Sequence, residues 1–291
     1  MSFVLLALLA AGPVDLTVPP ALLAKTSPVE LSGLTWVPAL SRYLVVSDDA
    51  GPPGAHAPWL FTLDAQGVFD ADPMRIEGLD ALDDAESITA GPDGTFFVTT
   101  SHSLNKKGKA KPARRQLLWL GLSERTLTVK GRLDLTTLIT GRDDTLDVEA
   151  LAFRDGALFV GCKAPLDAQG RASIFRLERV TDVFAGAPPT LRTWATPKLE
   201  VGEHVPQGVT DLLFLPDGRL LLAANAPKTG TPDGGGALWR LDGPDAKPVL
   251  VQRFTDGLKP EGLALSPDGK RVVVVFDRGA ETPRWLSLPR P

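Results

Sequence analysis

A hairpin phrase that returns five times along the chain constrains the fold more than any other feature of this sequence. Its clearest copy is "DDAESITAGPDGTFFVTTSHS" at 83–103, in which apolar residues flank the turn "GPDG". Proline supplies a fixed φ, aspartate a side-chain bond to the backbone, and glycine a positive φ, so the pattern predicts a tight hairpin. The other copies are "LSGLTWVPALSRYLVVSDD" (31–49), "LDVEALAFRDGALFVGCKAP" (146–165), "QGVTDLLFLPDGRLLLAANAP" (207–227) and "LKPEGLALSPDGKRVVVVFDRG" (258–279).

The spacing of the copies indicates a repeat array rather than two separate domains. The turn glycines Gly94, Gly156, Gly218 and Gly269 follow one another at intervals of 62, 62 and 51 residues. Further apolar segments follow each copy, and four strands in each repeat are typical of a propeller blade. We therefore predict an all-β protein with a single β-propeller domain of five blades. Six blades remain an alternative if the longer repeats contain additional strands.

The two ends of the sequence carry their own expectations. The last repeat has one trailing strand, "PRWLSLP", and the segment "PVDLTVPPAL" at 13–22 could complete that sheet and close the ring. Residues 1–12, "MSFVLLALLAAG", are apolar, end in small residues and are too short to span a bilayer. They predict a signal peptide and a periplasmic or secreted protein with a domain at 13–291. The alternative for 1–12 is a buried first strand, in which case the protein is expected to be cytoplasmic.

Polar side chains stand at both ends of the repeated hairpins. The residue that enters an antiparallel hairpin lies beside the residue that leaves it, so these ends share one face of the ring. In a propeller the innermost strand of each blade lines the central channel, so the hairpins direct these ends toward one channel mouth. The entry positions hold Glu86, Glu149 and Glu261, with Thr210 and Asp211 in the fourth copy and Ser32, near Glu30, in the first. The exit positions hold Asp48, Asp49, Ser101, His102, Ser103, Lys163, Asn225, Asp277 and Arg278.

A group of carboxylates around one axis requires a counter-charge, because like charges and burial both disfavour ionisation. A hard divalent cation such as Ca²⁺ accepts several oxygen ligands in irregular geometry. We therefore predict a calcium site at the channel mouth. The alternative is that the carboxylates bind backbone amides or pair with Lys163, Arg278 or Arg114, and only fix the packing of the blades. The predicted ligands are Glu86, Glu149, Glu261, Asp211 and Asp277.

Two further features of the mouth suggest chemistry. His102 is the predicted general base, since imidazole titrates near neutrality; a structural histidine is the alternative. The following loop, "SLNKKGKAKPARRQ", places six cations between Lys106 and Arg115. It predicts attraction of an anionic ligand, although such runs are often only solvated loops. The predicted substrate-binding residues are Ser101, Ser103, Arg114, Arg115, Lys163 and Asn225.

The overall charge restricts the partners of the protein. With 31 basic and 35 acidic residues the formal charge is -4, so no global field favours nucleic acid. One cysteine, Cys162, excludes an internal disulfide. Past the first residues, no stretch has the length of a membrane helix. We expect a monomer that binds a small anionic molecule or a component of the cell envelope.

Several motifs resemble those of the bacterial domain of unknown function 3616 family. The chain shares with this family an Asp-x-Glu entry, a Ser-His-Ser exit followed by a basic tail, and a later Pro-x-x-x-x-Gly-Arg-Ala stretch. The resemblance implies the same fold and the same site position, and it names no reaction. The matching residues are Asp84, Glu86, Ser101, His102, Ser103, Arg114, Arg115, Pro165, Gly170, Arg171 and Ala172.

Looser similarities point to two hydrolase families. "PEGLALSPDGKRVVVVFD" is similar to a phrase of the senescence marker protein and gluconolactonase family, calcium-dependent lactonase propellers. Glu261 stands where that family has a metal-binding asparagine, and Asp277 stands at its second ligand. The cation with a basic loop is also similar to the esterase-like phytase propellers. Two functions follow as expectations: a metal-dependent hydrolase of an anionic ester, phosphoester or lactone, or a non-catalytic propeller that binds a ligand or protein.

Overall fold

The computed structural model describes residues 12–26, 28–141, 145–202, 204–226, 235–279 and 281–291. Most of the predicted signal peptide, residues 1–11, lies outside this described part. The regular elements of the described part are almost all strands, with short helices α1 (Pro20–Leu23) and α2 (Val180–Phe184). The strands are β1 (Val14–Asp15), β2 (Leu31–Val37), β3 (Arg42–Ser47), β4 (Trp59–Leu63), β5 (Met74–Glu77), β6 (Ala85–Ala90), β7 (Thr95–Thr100), β8 (Leu117–Ser123), β9 (Thr126–Leu133), β10 (Asp147–Arg154), β11 (Ala157–Ala164), β12 (Ser173–Leu177), β13 (Leu191–Ala195), β14 (Glu200–Val201), β15 (Val205–Pro206), β16 (Gly208–Phe214), β17 (Leu220–Asn225), β18 (Ala237–Leu241), β19 (Val249–Arg253), β20 (Lys259–Leu265), β21 (Arg271–Asp277) and β22 (Arg284–Pro289).

The strands form antiparallel sheets built on the repeated hairpins. Three sheets have four strands each, in the orders β10-β11-β12-β13, β16-β17-β18-β19 and β1-β22-β21-β20. A longer sheet has the order β2-β3-β4-β5-β9-β8-β7-β6, in which the parallel pair β5 and β9 joins two hairpin-based halves. The small pair β14 and β15 stands apart from these sheets.

The innermost strands follow one another around a ring. Strand β2 packs against β6, β6 against β10, β10 against β16 and β16 against β20, and β20 returns to β2. The tight turns of the hairpins follow from their residue types. Asp155 and Gly156 both have positive φ, 50° and 74°, between the paired residues Arg154 and Ala157. This is the two-residue turn that Asp-Gly favours in a hairpin.

Apolar side chains fill the space between neighbouring sheets. One such cluster joins Phe159 and Ile174 of one sheet to Val209 and Trp239 of the next. A second cluster joins the first hairpin to the last sheet, since Val45 packs with Val273 and Trp285. Within the first of these clusters, the aromatic rings of Phe159 and Phe214 meet edge to face at 4.8 Å between ring centroids. The core is therefore distributed around the ring rather than gathered in one layer.

The last sheet contains strands from both ends of the described chain. Strand β1 lies within the segment that was expected to close the ring, and Val14 pairs with Trp285 of β22. The Leu16 amide donates to the Pro283 carbonyl at 2.8 Å, and the Leu16 side chain is buried. Among the described residues, none of the helices has the length and hydropathy that crossing a membrane requires.

Candidate functional site

The polar entry residues occupy the same β-bulge in every repeated hairpin. The register shifts between Ala85 and Ser87, so Glu86 is the additional residue of its strand. Glu149 and Glu261 occupy the equivalent bulges of β10 and β20. A bulge removes one residue from the ladder and re-aims its side chain. The bulge residues of the five hairpins are Ser32, Glu86, Glu149, Thr210 and Glu261.

The residues just after the bulges lie close together near the ring axis. A Cβ atom on Gly33 would lie 2.9 Å from the Ser87 Cα, and one on Gly262 would lie 3.0 Å from the Gly33 Cα. Glycine is required at both positions because the backbones of neighbouring sheets approach so closely. The channel is therefore narrow at this level.

Asp211 accepts hydrogen bonds from two other sheets where the channel is narrow. Ser87 Oγ donates to Asp211 Oδ1 at 2.9 Å, and the Leu263 amide donates to Asp211 Oδ2 at 2.7 Å. Burial raises the pKa of Asp211 well above its usual value, although these hydrogen bonds oppose the shift. The predicted ligand Asp211 thus has both oxygens engaged within the ring. This arrangement matches the structural alternative for that residue.

Three carboxylates form the grouping that best suits a cation, and we call Asp48, Asp84 and Glu86 the acidic triad. One oxygen from each lies within 4.8 Å of the others. Asp48 leaves the first hairpin and Asp84 enters the second, and the Asp84 amide donates to the Asp48 carbonyl at 2.8 Å. Arg114 pairs with Asp84, and Ser32 donates to Asp48. Of the five predicted ligands, Glu86 alone belongs to the acidic triad.

The electrostatic environment of Glu86 calls for a proton or a cation. Burial raises the pKa of Glu86 well above its usual value, and the carboxylates of Asp48, Glu149 and Asp147 raise it further. The positive charge of Lys163 opposes this shift. Without another cation, the carboxyl group of Glu86 holds its proton to higher pH than a solvated glutamate does.

A second group at the mouth, which we call the lysine bridge, consists of Lys163, Glu149 and Glu261. Lys163 Nζ lies 2.8 Å from Glu149 Oε1 and 3.9 Å from Glu261 Oε1. Asn225 Nδ2 donates to Glu261 Oε1 at 2.9 Å. Burial alone would lower the pKa of Lys163, but the two glutamates outweigh it and raise the pKa well above its usual value. These side chains, which the sequence predicts at neighbouring hairpin ends, do lie beside one another.

The predicted Ser-His-Ser exit is buried rather than open at the mouth. The His102 ring has no exposed surface; its Nδ1 lies 2.7 Å from the Thr100 carbonyl, and its amide donates to the Arg114 carbonyl. Because a carbonyl only accepts, Nδ1 carries the proton. Burial lowers the pKa of His102 to about 4. Ser101 Oγ and Ser103 Oγ bond to each other at 2.8 Å. This geometry favours the structural alternative for His102.

We therefore expect the substitution His102→Asn to lower stability without moving the pH dependence of any activity near neutrality. The imidazole stays neutral across that pH range because its pKa is lowered to about 4, and asparagine tolerates the left-handed backbone of this residue, φ 59°. The loss is about 1 kcal/mol, the contribution of one hydrogen bond. Thermal unfolding measures the stability, and the rate of any activity as a function of pH measures the titration. If the substitution removes a titration step between pH values of about 5 and 8 from this profile, His102 does act as an acid or base.

The basic segment at 104–115 is attached to the rim of the mouth. Lys111 Nζ donates to Asp83 Oδ2 at 3.0 Å, and Arg114 pairs with Asp84 of the acidic triad. Arg115 is half-buried near His102, whose pKa it helps to lower. The exposed cations of the segment are Lys106, Lys107 and Lys109.

Sequence reasoning proposed no ligand role for Asp84 and Asp147, and it did not identify His56. Asp84 and Asp147 precede Glu86 and Glu149 by two positions, so the phrase Asp-x-Glu occurs in two successive hairpins. This repetition was the available signal. His56 lies far from any hairpin motif, and nothing in the sequence indicated it; its Nδ1 lies 3.2 Å from Asp49 Oδ1 and 3.4 Å from Asp83 Oδ1. The predicted ligand Asp277 ends β21, but its side chain lies outside what the structure describes.

Comparisons with known proteins agree with this architecture. A family model described as "Phytase-like: Esterase-like activity of phytase" matches residues 29–230. No curated protein matches the chain at a significant level. Among solved structures, endo-arabinase from Bacteroides thetaiotaomicron VPI-5482 is 12% identical, with 96% of this chain and 98% of that chain covered and a TM-score of 0.54. The WD40 repeats of RRP9 are 11% identical, with 89% and 67% covered and a TM-score of 0.38. The prediction of an all-β, propeller-like fold is confirmed.

Proposed function

This chain belongs to the phytase-like family described by esterase-like activity, and from this premise we propose that it binds a divalent cation and hydrolyses an anionic ester beside it. The proposed ion is Ca²⁺, and its ligands are the carboxylates of the acidic triad, Asp48, Asp84 and Glu86. The substrate classes are esters, phosphoesters and lactones of small anionic molecules. The resemblance to the domain of unknown function 3616 family is part of this proposal.

The geometry of the acidic triad is the main support for the proposed cation site. Calcium–oxygen distances are about 2.3–2.6 Å, so two oxygens on one ion lie up to about 5 Å apart. The oxygens of the triad satisfy this limit, since all lie within 4.8 Å of one another. The buried Glu86 also needs a positive charge to stay ionised among its neighbours. The donor set is all oxygen, as a hard cation prefers.

Different residues would have different roles in the proposed hydrolysis. A bound Ca²⁺ would polarise the carbonyl or phosphoryl oxygen of the substrate. Lys106, Lys107 and Lys109 are exposed on the basic segment and would attract the anion toward the rim. A proton-transfer role is better supported for His56 than for His102, because the His56 side chain is 27% exposed and lies beside two carboxylates of the rim.

We expect the substitution Asp84→Asn to weaken Ca²⁺ binding by about tenfold or more, because it removes one of the anionic ligands and leaves Arg114 unpaired beside the ion. Calorimetric titration of chelator-treated protein measures this affinity. Asp93→Asn is the matched control: it removes a carboxylate from the exposed turn of the same hairpin, where asparagine also tolerates positive φ. Wild-type protein that gives neither heat nor a thermal shift with Ca²⁺ has no such site.

The hydrolytic part has a separate assay. Nitrophenyl phosphate, a nitrophenyl ester and a lactone are each incubated with Ca²⁺ or with chelator. Turnover should depend on the ion and fall in both Asp84→Asn and His56→Gln. If all three substrates stay inert while Ca²⁺ binds, the second candidate function is favoured: a non-catalytic propeller that binds an anionic ligand. The burial of His102 supports this non-catalytic function, because His102 is the base that the sequence predicts.

We further propose that the domain at 13–291 is a five-bladed propeller and a monomer. The ring order of the five innermost strands supports the number of blades. Residues 1–12 would act as a signal peptide, which places the mature protein in the periplasm or outside the cell. A component of the cell envelope then stands beside small anionic molecules as a proposed partner.

A further inference from the structure

Lys163 is a buried cation among the carboxylates of the mouth. Its side chain is 11% exposed, and those of Glu149 and Glu261 are 6% and 8% exposed. The acidic triad lies near enough for Glu86 and Lys163 to perturb each other's pKa. Lysines are rarely buried unless they are paired, so this one has a specific electrostatic role.

The ammonium group of Lys163 occupies a position that would suit a metal ion. It is 2.8 Å from Glu149 Oε1 and 3.9 Å from Glu261 Oε1, and the side-chain amide of Asn225 also contacts the latter oxygen. Carboxylate and amide oxygens are ligands of Ca²⁺. An ammonium and a metal ion would therefore compete for one and the same set of oxygens.

The backbone fixes Lys163 in this position. The residue lies near the end of β11, and Gly208 of the next sheet approaches so closely that a Cβ there would lie 2.0 Å from the Lys163 carbonyl oxygen. The main chain of Lys163 is therefore held within its own sheet and against the backbone of the next sheet. Its long side chain extends from a rigid base rather than from a loop.

One buried oxygen of the lysine bridge is left without a hydrogen bond. Glu149 is 5% exposed, and its Oε2 has no hydrogen-bond partner within the described residues, whereas its Oε1 accepts from Lys163. Buried carboxylate oxygens ordinarily have partners. The site thus has more acceptor capacity than the single ammonium group uses, and a divalent ion with six to eight ligands would use more of it.

We propose that Lys163 is a built-in cation that occupies the place of a second metal ion and limits the mouth to one ion, at the acidic triad. This inference rests on the proposed cation site for the second half of that statement. On one side of the mouth the chain itself supplies a permanent positive charge, and on the other side a metal ion supplies it reversibly. Lys163 determines the number of ions that the mouth accepts.

The number of bound Ca²⁺ ions tests the inference directly. Calorimetry and equilibrium dialysis should give one ion for wild-type protein and two for Lys163→Met, which keeps an unbranched side chain one atom shorter and removes its charge. Lys163→Arg keeps the charge and should bind one. The double substitution Lys163→Met with Glu149→Gln removes both charges of the pair and should also bind one.

The outcomes separate this inference from the proposed function. One ion in both wild type and Lys163→Met contradicts the role of Lys163 and leaves the acidic triad in place. No ion in wild type with one in Lys163→Met removes the triad site and supports Lys163. A Lys163→Met protein that folds only with Ca²⁺ supports the inference, because the ion replaces the ammonium group. One that stays unfolded in Ca²⁺ by circular dichroism contradicts it.

Discussion

Replacement of Asp211 by alanine is expected to lower the free energy of unfolding by about 2–6 kcal/mol, the largest effect of any single substitution considered for this protein. Two buried donors, the Ser87 hydroxyl and the Leu263 amide, lose their acceptor together. Each buried donor without a partner costs about 1–3 kcal/mol. These donors belong to different sheets, so the substitution loosens the centre of the ring rather than one blade. Urea denaturation followed by tryptophan fluorescence measures the change.

Asp217→Ala provides the matched control on the same hairpin. Asp217 lies in the exposed turn between β16 and β17, where it bonds to Arg219. A surface pair of this kind contributes little to stability. An Asp211→Ala protein that unfolds at the same urea concentration as Asp217→Ala would show that the ring does not depend on its central carboxyl group.

The substitution Gly208→Ala is expected to lower the free energy of unfolding by about 1–3 kcal/mol and to disturb cation binding as well. The new methyl group would lie 2.0 Å from the carbonyl oxygen and 2.5 Å from the Cα of Lys163. Because these are backbone atoms, no side-chain rotation relieves the clash, and the two sheets must separate. Lys163 moves with its backbone, so the lysine bridge loses its geometry.

Gly243→Ala controls for the general effect of adding a methyl group to a glycine. A Cβ at Gly243 meets no atom within 4 Å, and the residue does not have the positive φ that restricts alanine. We expect its melting temperature to equal that of wild type or to exceed it slightly, because alanine reduces the conformational freedom of the unfolded chain. Equal melting temperatures for both variants would contradict the close approach of Lys163 and Gly208.

The positions of the hairpins were predictable because local chemistry determines them. Turn residues such as Asp155 and Gly156 specify where a strand reverses, whatever the rest of the chain does. Alternation along a strand then places the entry and exit residues at one rim. For this reason the residue pattern alone predicts that Lys163 lies near Glu149 and Glu261.

The composition of the acidic triad was not predictable in the same way. Which carboxylates meet depends on a bulge of one residue, and a bulge changes which side of the strand a residue faces. Asp211 follows the bulge residue Thr210, so it lies at the ring centre rather than at the mouth. His102 adopts a left-handed backbone just after β7 ends, so the alternation that predicted an accessible imidazole no longer applied.

The pairing of β1 with β22 determines which sheet can be completed only late during synthesis of the chain. Arg284 and Asp15, which are 269 positions apart, hold the two strands together. The ribosome synthesises the chain from its N-terminus, so β1 emerges long before its partner β22. Contacts between residues so far apart in the chain also form slowly. The first segment therefore stays unpaired until the residues of β22 have been made, and only then can the sheet β1-β22-β21-β20 be completed.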